Sequence, residues 1–185
     1  MGGFLMRKSL FLVFGLVLCL SAAAVAADAE YEAIIDFSNG HESGWGPMGG
    51  AVRYIAAEEF RSEPFSLAVL GRTQIWEGTI FQVSNILEEG GVYTFSLWIK
   101  AMEAKPGSTA WITAVRVDKA GNASYERLCD PVEVNTTDWV EVVIKDFVFS
   151  LDGLDRIEFY PEIDDVEASY YMDDFKIVGN KPIKL

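Results

Sequence analysis

Short stretches in which apolar and polar residues alternate recur along this chain of 185 residues. Alternation with a high content of β-branched and aromatic residues predicts strands with one buried face. The predicted strands are Glu32–Phe37, Ala51–Ala56, Phe65–Leu70, Thr79–Val83, Val92–Ala101, Ala110–Asp118, Ser124–Leu128, Trp139–Lys145, Arg156–Glu162 and Ser169–Val178. Turn-forming pairs such as Asn39-Gly40 and Asp152-Gly153 separate them. About ten short strands without a long helix predict an all-β fold, an antiparallel β-sandwich.

Some local features refine this prediction. Residues 57–61 are expected to form one helical turn. Pro161 has no N–H for a sheet ladder, so the strand end at this residue is expected to lie at an edge or a bulge. Three tryptophans within strongly apolar strands are expected to belong to the core: Trp98, Trp111 and Trp139.

The first 26 residues have the pattern of a secretory signal peptide. Arg7 and Lys8 precede an uncharged apolar run from Leu10 to Ala26, which ends in the small-x-small sequence of residues 24–26. The alternative is a retained N-terminal membrane anchor, for which the run is only marginally long enough. We therefore expect a secreted protein without a membrane partner, with one domain over residues 27–180 and a short, loose tail over 181–185.

The chain is acidic, with 28 Asp and Glu residues against 15 Lys and Arg residues and a net charge of −13. Such a surface repels nucleic acids and anionic membranes, so we expect no nucleic-acid partner. Signal cleavage would leave Cys129 as the single cysteine, which excludes an intrachain disulfide. Its thiol is then either buried among apolar neighbours or available for pairing between chains.

The residues needed for most kinds of catalysis are scarce. His41 is the single histidine, so neither a Ser/His/Asp nor a Cys/His nucleophilic system can be assembled from this sequence. Two carboxylates suffice for a glycosidase, and acidic residues are plentiful, so composition alone does not exclude hydrolysis. A small sandwich with short loops offers little material for a deep catalytic cleft, however, and the protein is expected not to be an enzyme.

Two segments present aromatic rings beside polar groups. In the strand Arg156–Glu162, alternation places Glu158, Tyr160 and Glu162 on one face and the apolar side chains on the other. Trp76 lies on the short connection 71–78 between two predicted strands, where hydrogen-bonding residues flank it. A flat ring in such a position can stack on the apolar C–H face of a sugar. The alternative is that Trp76 folds back as a lid on the core.

The order of several motifs resembles the carbohydrate-binding modules of bacterial xylanases and endoglucanases, most closely family 22 and its relatives in families 4 and 9. The motifs are Asp36-Phe37…Gly44-Trp45, Phe65-Ser66-Leu67-Ala68-Val69, Gly71-Arg72-Thr73…Trp76-Glu77-Gly78, Leu87…Gly90-Gly91-Val92-Tyr93-Thr94-Phe95-Ser96-Leu97-Trp98-Ile99-Lys100, Asp138-Trp139-Val140 and Tyr170-Tyr171-Met172-Asp173-Asp174-Phe175-Lys176-Ile177. This similarity extends from Ala33 to Val178, nearly all of the predicted domain. It implies a β-jelly roll in which the concave face of one sheet binds β-linked glycans.

The resemblance also implies which residues bind the polysaccharide. Trp76 matches the stacking tryptophan of the family, Tyr125 matches a cleft tyrosine, and Glu162 matches a carboxylate that accepts sugar hydroxyls. Tyr160 shares the face of Glu162, and a second cleft aromatic of the family falls on Glu158. A further candidate for this cleft is Arg72, which can donate hydrogen bonds beside Trp76. The sequence departs from the family near Met48, where the family has a cleft arginine.

A structural calcium ion is a second implication of the resemblance. Asp173 matches the aspartate of the family's closing strand, while the glutamate of the opening strand falls on Ser38, two residues after Asp36. Calcium prefers several oxygen ligands, which these three residues could supply. The alternative is that Asp173 and its neighbour only cap the end of a strand.

The sequence therefore predicts a secreted, non-catalytic module that acts alone and binds a polysaccharide. A hypothesis from another class is a structural subunit of an extracellular filament, sheath or tube. In that case the stretch 27–32 or the tail 181–185 would add a strand to a neighbouring copy. Self-assembly and a glycan ligand thus remain alternative expectations.

Overall fold

The computed structural model describes residues 30–185, so the predicted signal peptide lies outside the described residues. Alternation in the sequence produces twelve strands in this region. They are β1 (Tyr31–Ile35), β2 (Trp45–Met48), β3 (Val52–Ala56), β4 (Ser66–Leu70), β5 (Gly78–Gln82), β6 (Val92–Glu103), β7 (Thr109–Asp118), β8 (Ala123–Arg127), β9 (Val132–Glu133), β10 (Val140–Val148), β11 (Leu154–Ile163) and β12 (Ser169–Gly179). All ten predicted strands are present, and the two additional ones are the short strands β2 and β9.

The strands form two six-stranded sheets, and every strand pair is antiparallel. The first sheet has the order β10-β6-β12-β4-β3, with β1 also paired to β12. The second sheet has the order β2-β5-β11-β7-β8, with β9 also paired to β7. The predicted antiparallel β-sandwich is therefore confirmed.

The core lies between the two sheets and is made by alternate residues of the central strands. Strand β6 contributes Phe95, Leu97 and Ile99, while β11 contributes Ile157 and Phe159. Aromatic rings fill much of the space, since the centroids of Phe95 and Phe159 lie 5.1 Å apart in an edge-to-face arrangement. Burial of one face of each strand is what separates the outer faces from the core.

Of two predictions about local structure, one is wrong and one is confirmed. Residues 57–61 form bends instead of a helical turn, and the single short 3-10 helix of residues 30–185 is at Val83–Asn85. The strand end at Pro161 is a local edge, as predicted, because β11 pairs with β7 opposite Pro161 while its ladder with β5 is restricted to Glu158 and Phe159. The proline is accommodated because the β5 ladder does not reach it.

The prediction that three strand tryptophans belong to the core is also wrong. Trp98 and Trp139 are only partly buried, and Trp111, although buried, points away from the core on the outer face of the second sheet. Trp45 instead packs in the core against Phe81 and Phe175. Apolar neighbours in a sequence therefore did not indicate which face of a strand a tryptophan occupies.

Cys129 and the C-terminal residues pack against the core. The Cys129 thiol accepts the Ile112 N–H at 3.4 Å, and burial raises its pKa, which reduces its reactivity. Residues 181–185 are not loose as expected, because the Lys184 N–H donates to the Ile86 carbonyl and Ile183 contacts the core. In the described part of the chain, no helix has the length and apolar character needed to cross a membrane.

Candidate carbohydrate-binding cleft

A cleft of about 340 Å³ opens on the outer face of the second sheet. Its lining consists of Met48, Ile75, Trp76, Tyr125, Tyr160 and Glu162. The structure thus brings together four of the residues that the sequence singled out. They come from three different parts of the sandwich: the β4–β5 connection, the edge strand β8 and the central strand β11.

Trp76 is held in place by the buried guanidinium of Arg72. This group donates hydrogen bonds of 2.6–3.1 Å to five main-chain carbonyls, those of Ile75, Glu77, Ile163, Asp165 and Ala168. It thereby ties the β4–β5 connection to the segment that follows β11. Burial lowers the pKa of Arg72, although a guanidinium remains charged at any ordinary pH. The ring of Trp76, 40% exposed, stands on a fixed support.

The carboxylate of Glu77 holds the same connection from its other side. Its Oε2 accepts the N–H groups of Thr73 and Gln74, and its Oε1 accepts the Gly50 N–H at 3.1 Å. These backbone donors, first Thr73 and then Gly50, hold the pKa of Glu77 below its ordinary value. Gly49 has a φ of +69° and approaches the Trp76 ring so closely that a Cβ would lie 2.8 Å from it. A side chain at Gly49 would therefore collide with both the Glu77 side chain and the Trp76 ring.

The floor of the cleft is a buried polar group on the second sheet. Tyr160 is 3% exposed and Glu162 is 8% exposed. One oxygen of Glu162, Oε2, accepts the Trp111 Nε1–H at 2.6 Å and also the Thr113 hydroxyl. Burial, together with the nearby Glu162 carboxylate, raises the pKa of Tyr160 to about 12. The phenol is thus protonated at neutral pH, and within the described residues Oε1 of Glu162 accepts no hydrogen bond.

Tyr125 forms the opposite side of the cleft from the edge strand β8, where it lies across from Val115 of β7. It is 65% exposed, which leaves most of its ring open to solvent. Two residues further along the same face, the guanidinium of Arg127 lies over the Trp111 ring, 4.0 Å from its centroid. Cation–π contact of this kind covers the side of Trp111 that would otherwise face water.

Two of the predicted ligand contacts, Arg72 and Glu158, do not line the cleft. Arg72 does not line the cleft, because carbonyl oxygens occupy its guanidinium; it positions Trp76 instead. Glu158 also lies outside the lining and pairs with Arg156, whose Nε is 3.2 Å from its Oε2. Sequence reasoning missed Trp111, Thr113 and Arg127 as members of this face. The alternation of β7 was visible, but both of its faces mix polar and apolar side chains.

The carboxylates of Asp173 and Asp36, two of the predicted calcium ligands, accept hydrogen bonds within the protein. Asp173 accepts the N–H groups of Arg61 and Ser62 on Oδ2 and that of Asp174 on Oδ1. Asp36 accepts both the N–H and the hydroxyl of Ser38 instead. Over residues 30–185 no group of three or more His, Cys, Asp and Glu side chains is arranged to hold a metal. Calcium binding therefore stays a prediction from the family resemblance.

The side chains of the cleft can stack on a ligand and form hydrogen bonds with it. The exposed rings of Trp76 and Tyr125 offer apolar faces, and the phenol of Tyr160 and the free oxygen of Glu162 offer a donor and an acceptor between them. This combination suits a ligand that has apolar faces and hydroxyl groups at its edges.

Comparison with known proteins agrees with this geometry. A family model described as a carbohydrate binding domain matches residues 34–167. Endo-1,4-beta-xylanase A of Thermoanaerobacterium saccharolyticum is 27% identical over 143 residues, which are 77% of this chain and 12% of the xylanase. Endo-1,4-beta-xylanase C of Paenibacillus barcinonensis is 25% identical over 141 residues, 76% of this chain and 13% of the relative. The chain thus spans a small part of the length of these relatives.

Solved structures show the same fold. A family 22 xylan-binding domain from Paenibacillus barcinonensis superposes with a TM-score of 0.73 at 24% identity, over 86% of this chain and 99% of that one. Another family 22 xylan-binding domain gives a TM-score of 0.66 at 23% identity, over 82% of this chain and 95% of that one. The chain therefore belongs to the carbohydrate-binding domain family, and its fold is that of the family 22 modules.

Proposed function

We propose that this protein binds a β-linked glycan chain in the cleft and breaks no bond in it. One observation carries the proposal: two exposed rings, Trp76 and Tyr125, flank a buried Tyr160–Glu162 pair in a single cleft. The rings would stack on sugar faces, while the phenol and the carboxylate would take the hydroxyls at the ring edges. Membership of the carbohydrate-binding family supports the same ligand class.

The arrangement of carboxylates favours binding over hydrolysis. A glycosidase uses two carboxyl groups on either side of the scissile bond. Among the residues that line this cleft, Glu162 is the one carboxylate, and its Oε2 is already held by Trp111 and Thr113. A carboxylate fixed in this way would orient a hydroxyl instead of transferring a proton. Affinity should be modest, because most of the contact energy in a shallow cleft offsets the lost freedom of the ligand.

Xylan is the first polymer to test, since relatives and structural neighbours of this chain are named as xylanases and xylan-binding domains. The experiment is native electrophoresis of residues 27–185 through gels that contain xylan or mixed-linkage β-glucan. Tyr125→Ala should abolish most of the retardation, because it removes a stacking ring. Tyr54→Ala is the matched control: this tyrosine is 38% exposed, but on the outer face of the first sheet.

The outcomes separate the alternatives clearly. Retardation that Tyr125→Ala removes and Tyr54→Ala leaves intact would support the proposed cleft. Retardation that neither substitution affects would place the binding site elsewhere on the protein. Free migration of the folded wild-type protein through both polymers would overturn the proposal that these glycans are its ligands.

We also propose that the protein is exported and acts outside the cell. The pattern of residues 1–26 is the support for this proposal. Expression of the full chain in a bacterial host, followed by N-terminal sequencing of the extracellular or periplasmic product, should give a chain that starts at Ala27. A retained Met1 in the membrane fraction would instead identify an anchor.

A second candidate function is assembly into an extracellular polymer. The observation that favours it is strand β1, which among the described residues pairs with β12 alone and exposes 39% of Tyr31 and 48% of Ile34. An open strand edge with exposed apolar side chains can pair with a strand from another copy. Light scattering at increasing protein concentration tests this; particles larger than a monomer that Ile34→Lys disperses would favour assembly.

A further inference from the structure

Arg127 differs from the other arginines of the described region, residues 30–185. Four of these side chains form ion pairs: Arg53, Arg61, Arg116 and Arg156. Arg72 donates its hydrogen bonds to main-chain carbonyls. Arg127 is exposed and, among the described residues, has neither a carboxylate partner nor a hydrogen bond. In a chain with 28 acidic residues, such a free guanidinium is unexpected.

Its position is fixed although its donors are free. The guanidinium lies over the Trp111 ring at 4.0 Å, and Trp111 is itself anchored to Glu162 through Nε1. Stacking uses the flat face of a guanidinium and leaves the N–H groups at its edge available. The neighbouring Glu126 cannot neutralise it, because alternation turns that residue to the other face, where it pairs with Arg116 at 3.0 Å.

This guanidinium borders the proposed cleft. Arg127 lies two residues from Tyr125 on β8, which is about 7 Å along the strand and on the same face. A glycan chain stacked on Tyr125 would therefore bring a neighbouring sugar, or a substituent on it, close to Arg127. A planar guanidinium binds a carboxylate through two parallel N–H···O bonds, a geometry that neutral hydroxyls do not match.

We propose that Arg127, stacked on Trp111 at the edge of the cleft, binds the carboxylate of a uronic acid unit on the glycan chain. This proposal rests on the proposed function, because the neutral part of the chain must occupy the cleft beside it. It makes the ligand an acidic β-glycan in place of an unsubstituted one. The protein as a whole is negatively charged and would repel an acidic glycan, so the preference for the acidic form depends on the Arg127 guanidinium.

The test compares two forms of one polymer by isothermal titration calorimetry. Glucuronoxylan carries uronic acid side groups; chemical reduction of its carboxyl groups turns them into neutral glucose without changing the backbone. Wild-type protein should bind the acidic form about fivefold more tightly at low salt, the upper range of a single solvent-accessible ion pair. Higher ionic strength should shrink this ratio, because salt screens exposed charges.

Three variants assign the preference to Arg127. Arg127→Gln should bind both polymers with the affinity that wild type has for the reduced one. Arg127→Lys should keep part of the preference, since the charge remains but the planar fork is lost. Lys119→Gln is the matched control: it removes one positive charge from an exposed turn next to the same strand and should keep the full ratio.

Each remaining outcome also decides the matter. Equal affinity of wild-type protein for the two polymers overturns the acidic subsite but leaves the proposed function standing. Loss of binding to both polymers in a folded Arg127→Gln variant would mean that Arg127 only supports Trp111, and it too overturns the subsite. A wild-type protein that binds neither polymer overturns the proposed function and the subsite together.

Discussion

The outer faces of the two sheets both carry aromatic rings beside carboxylates, but rings of the second sheet line a cleft, whereas the tryptophans of the first are covered. The first sheet displays Tyr54, Trp98, Trp139 and Tyr171. The second displays Trp111, Tyr125 and Tyr160, to which the β4–β5 connection adds Trp76. Composition therefore does not distinguish the two faces; what lies over the rings does.

On the first sheet, the connection between β3 and β4 folds over the rings. Its Arg61 guanidinium lies 3.8 Å from the centroid of the Trp98 ring, and its Glu59 accepts the Trp139 Nε1–H at 3.1 Å. Glu59 also pairs with Lys100 at 2.9 Å, and Asp173 holds the backbone of the connection through two N–H groups. The faces and donors of these tryptophans are thus used within the protein.

On the second sheet, the corresponding connection stands at the rim instead of covering the face. Arg72 and Glu77 hold its backbone, so Trp76 is fixed with its ring still 40% exposed. This difference indicates that an aromatic residue is available for binding where the fold holds its backbone in place and leaves the face of its ring exposed. This condition depends on tertiary contacts and is invisible in a count of aromatic residues.

The largest expected effect comes from removing the support of the open face. Arg72→Met should leave five buried or partly buried carbonyls without their donor, and a lost buried hydrogen bond costs about 1–3 kcal/mol. We expect a loss of several kcal/mol in the free energy of unfolding, measured by urea denaturation, and greater quenching of Trp76 by acrylamide. The control Arg156→Met breaks the ion pairs with Asp155 and Glu158 near the surface and should cost about 1 kcal/mol. Equal costs for the two variants would contradict the positioning role.

A smaller effect is expected from uncovering the closed face. Arg61→Ala removes the guanidinium over Trp98 together with its ion pair to Asp174, and it should cost about 1 kcal/mol. A collisional quencher should reach Trp98 more easily in this variant. The contribution of Trp98 is obtained by subtracting the fluorescence of the double variant Arg61→Ala/Trp98→Phe from that of Arg61→Ala. Glycan retardation through the cleft should not change. If retardation increased, the cover on the first sheet would be what keeps a second binding face closed.

The smallest effect is a dependence on acidic pH. The folded state lowers the pKa of Glu77 from its ordinary 4.5 through backbone hydrogen bonds, so its stabilising contribution is complete above pH 4.5. That contribution is lost as the pH falls through the lowered folded-state value. The emission of Trp76, obtained by subtracting a Trp76→Phe variant, should therefore be constant from neutral pH to about 4.5 and change below it. A Glu77→Gln variant should lack this transition; its persistence there would assign it to another group.

Much of the fold could be predicted because one buried face imposes alternation on each strand. The strand that contains Tyr160 and Glu162 shows this well: its apolar set, Ile157 and Phe159, is in the core, and Tyr160 and Glu162 face the cleft. Trp76 could be singled out from its place on a connection as well as from motif order, whereas Tyr125 could be singled out from motif order alone. Neither residue lies in a pattern that periodicity alone would interpret.

The remaining errors share a physical cause. Alternation in β7 did not orient Trp111, because Val115 and Val117 make the outer face as apolar as the inner one. Arg72 looked like a ligand contact since sequence shows only that it neighbours Trp76, while its five acceptors lie up to 96 residues away. The cover over Trp98 likewise depends on a connection whose path no local pattern encodes.

The central position of β11 has a consequence for how this surface can change over time. Its backbone amides pair with neighbouring strands on both sides near Glu158 and Phe159, whereas every residue of β8 is exposed at the sheet edge. Exchange of backbone amide hydrogens should therefore be slow in β11 near Glu158 and Phe159 and fast in β8 near Tyr125. Substitutions at the edge strand can accumulate at little cost to folding, while the centre tolerates few. In a binding surface of this kind, the range of ligands can change through substitutions in the edge strand β8 before the central strand β11 changes.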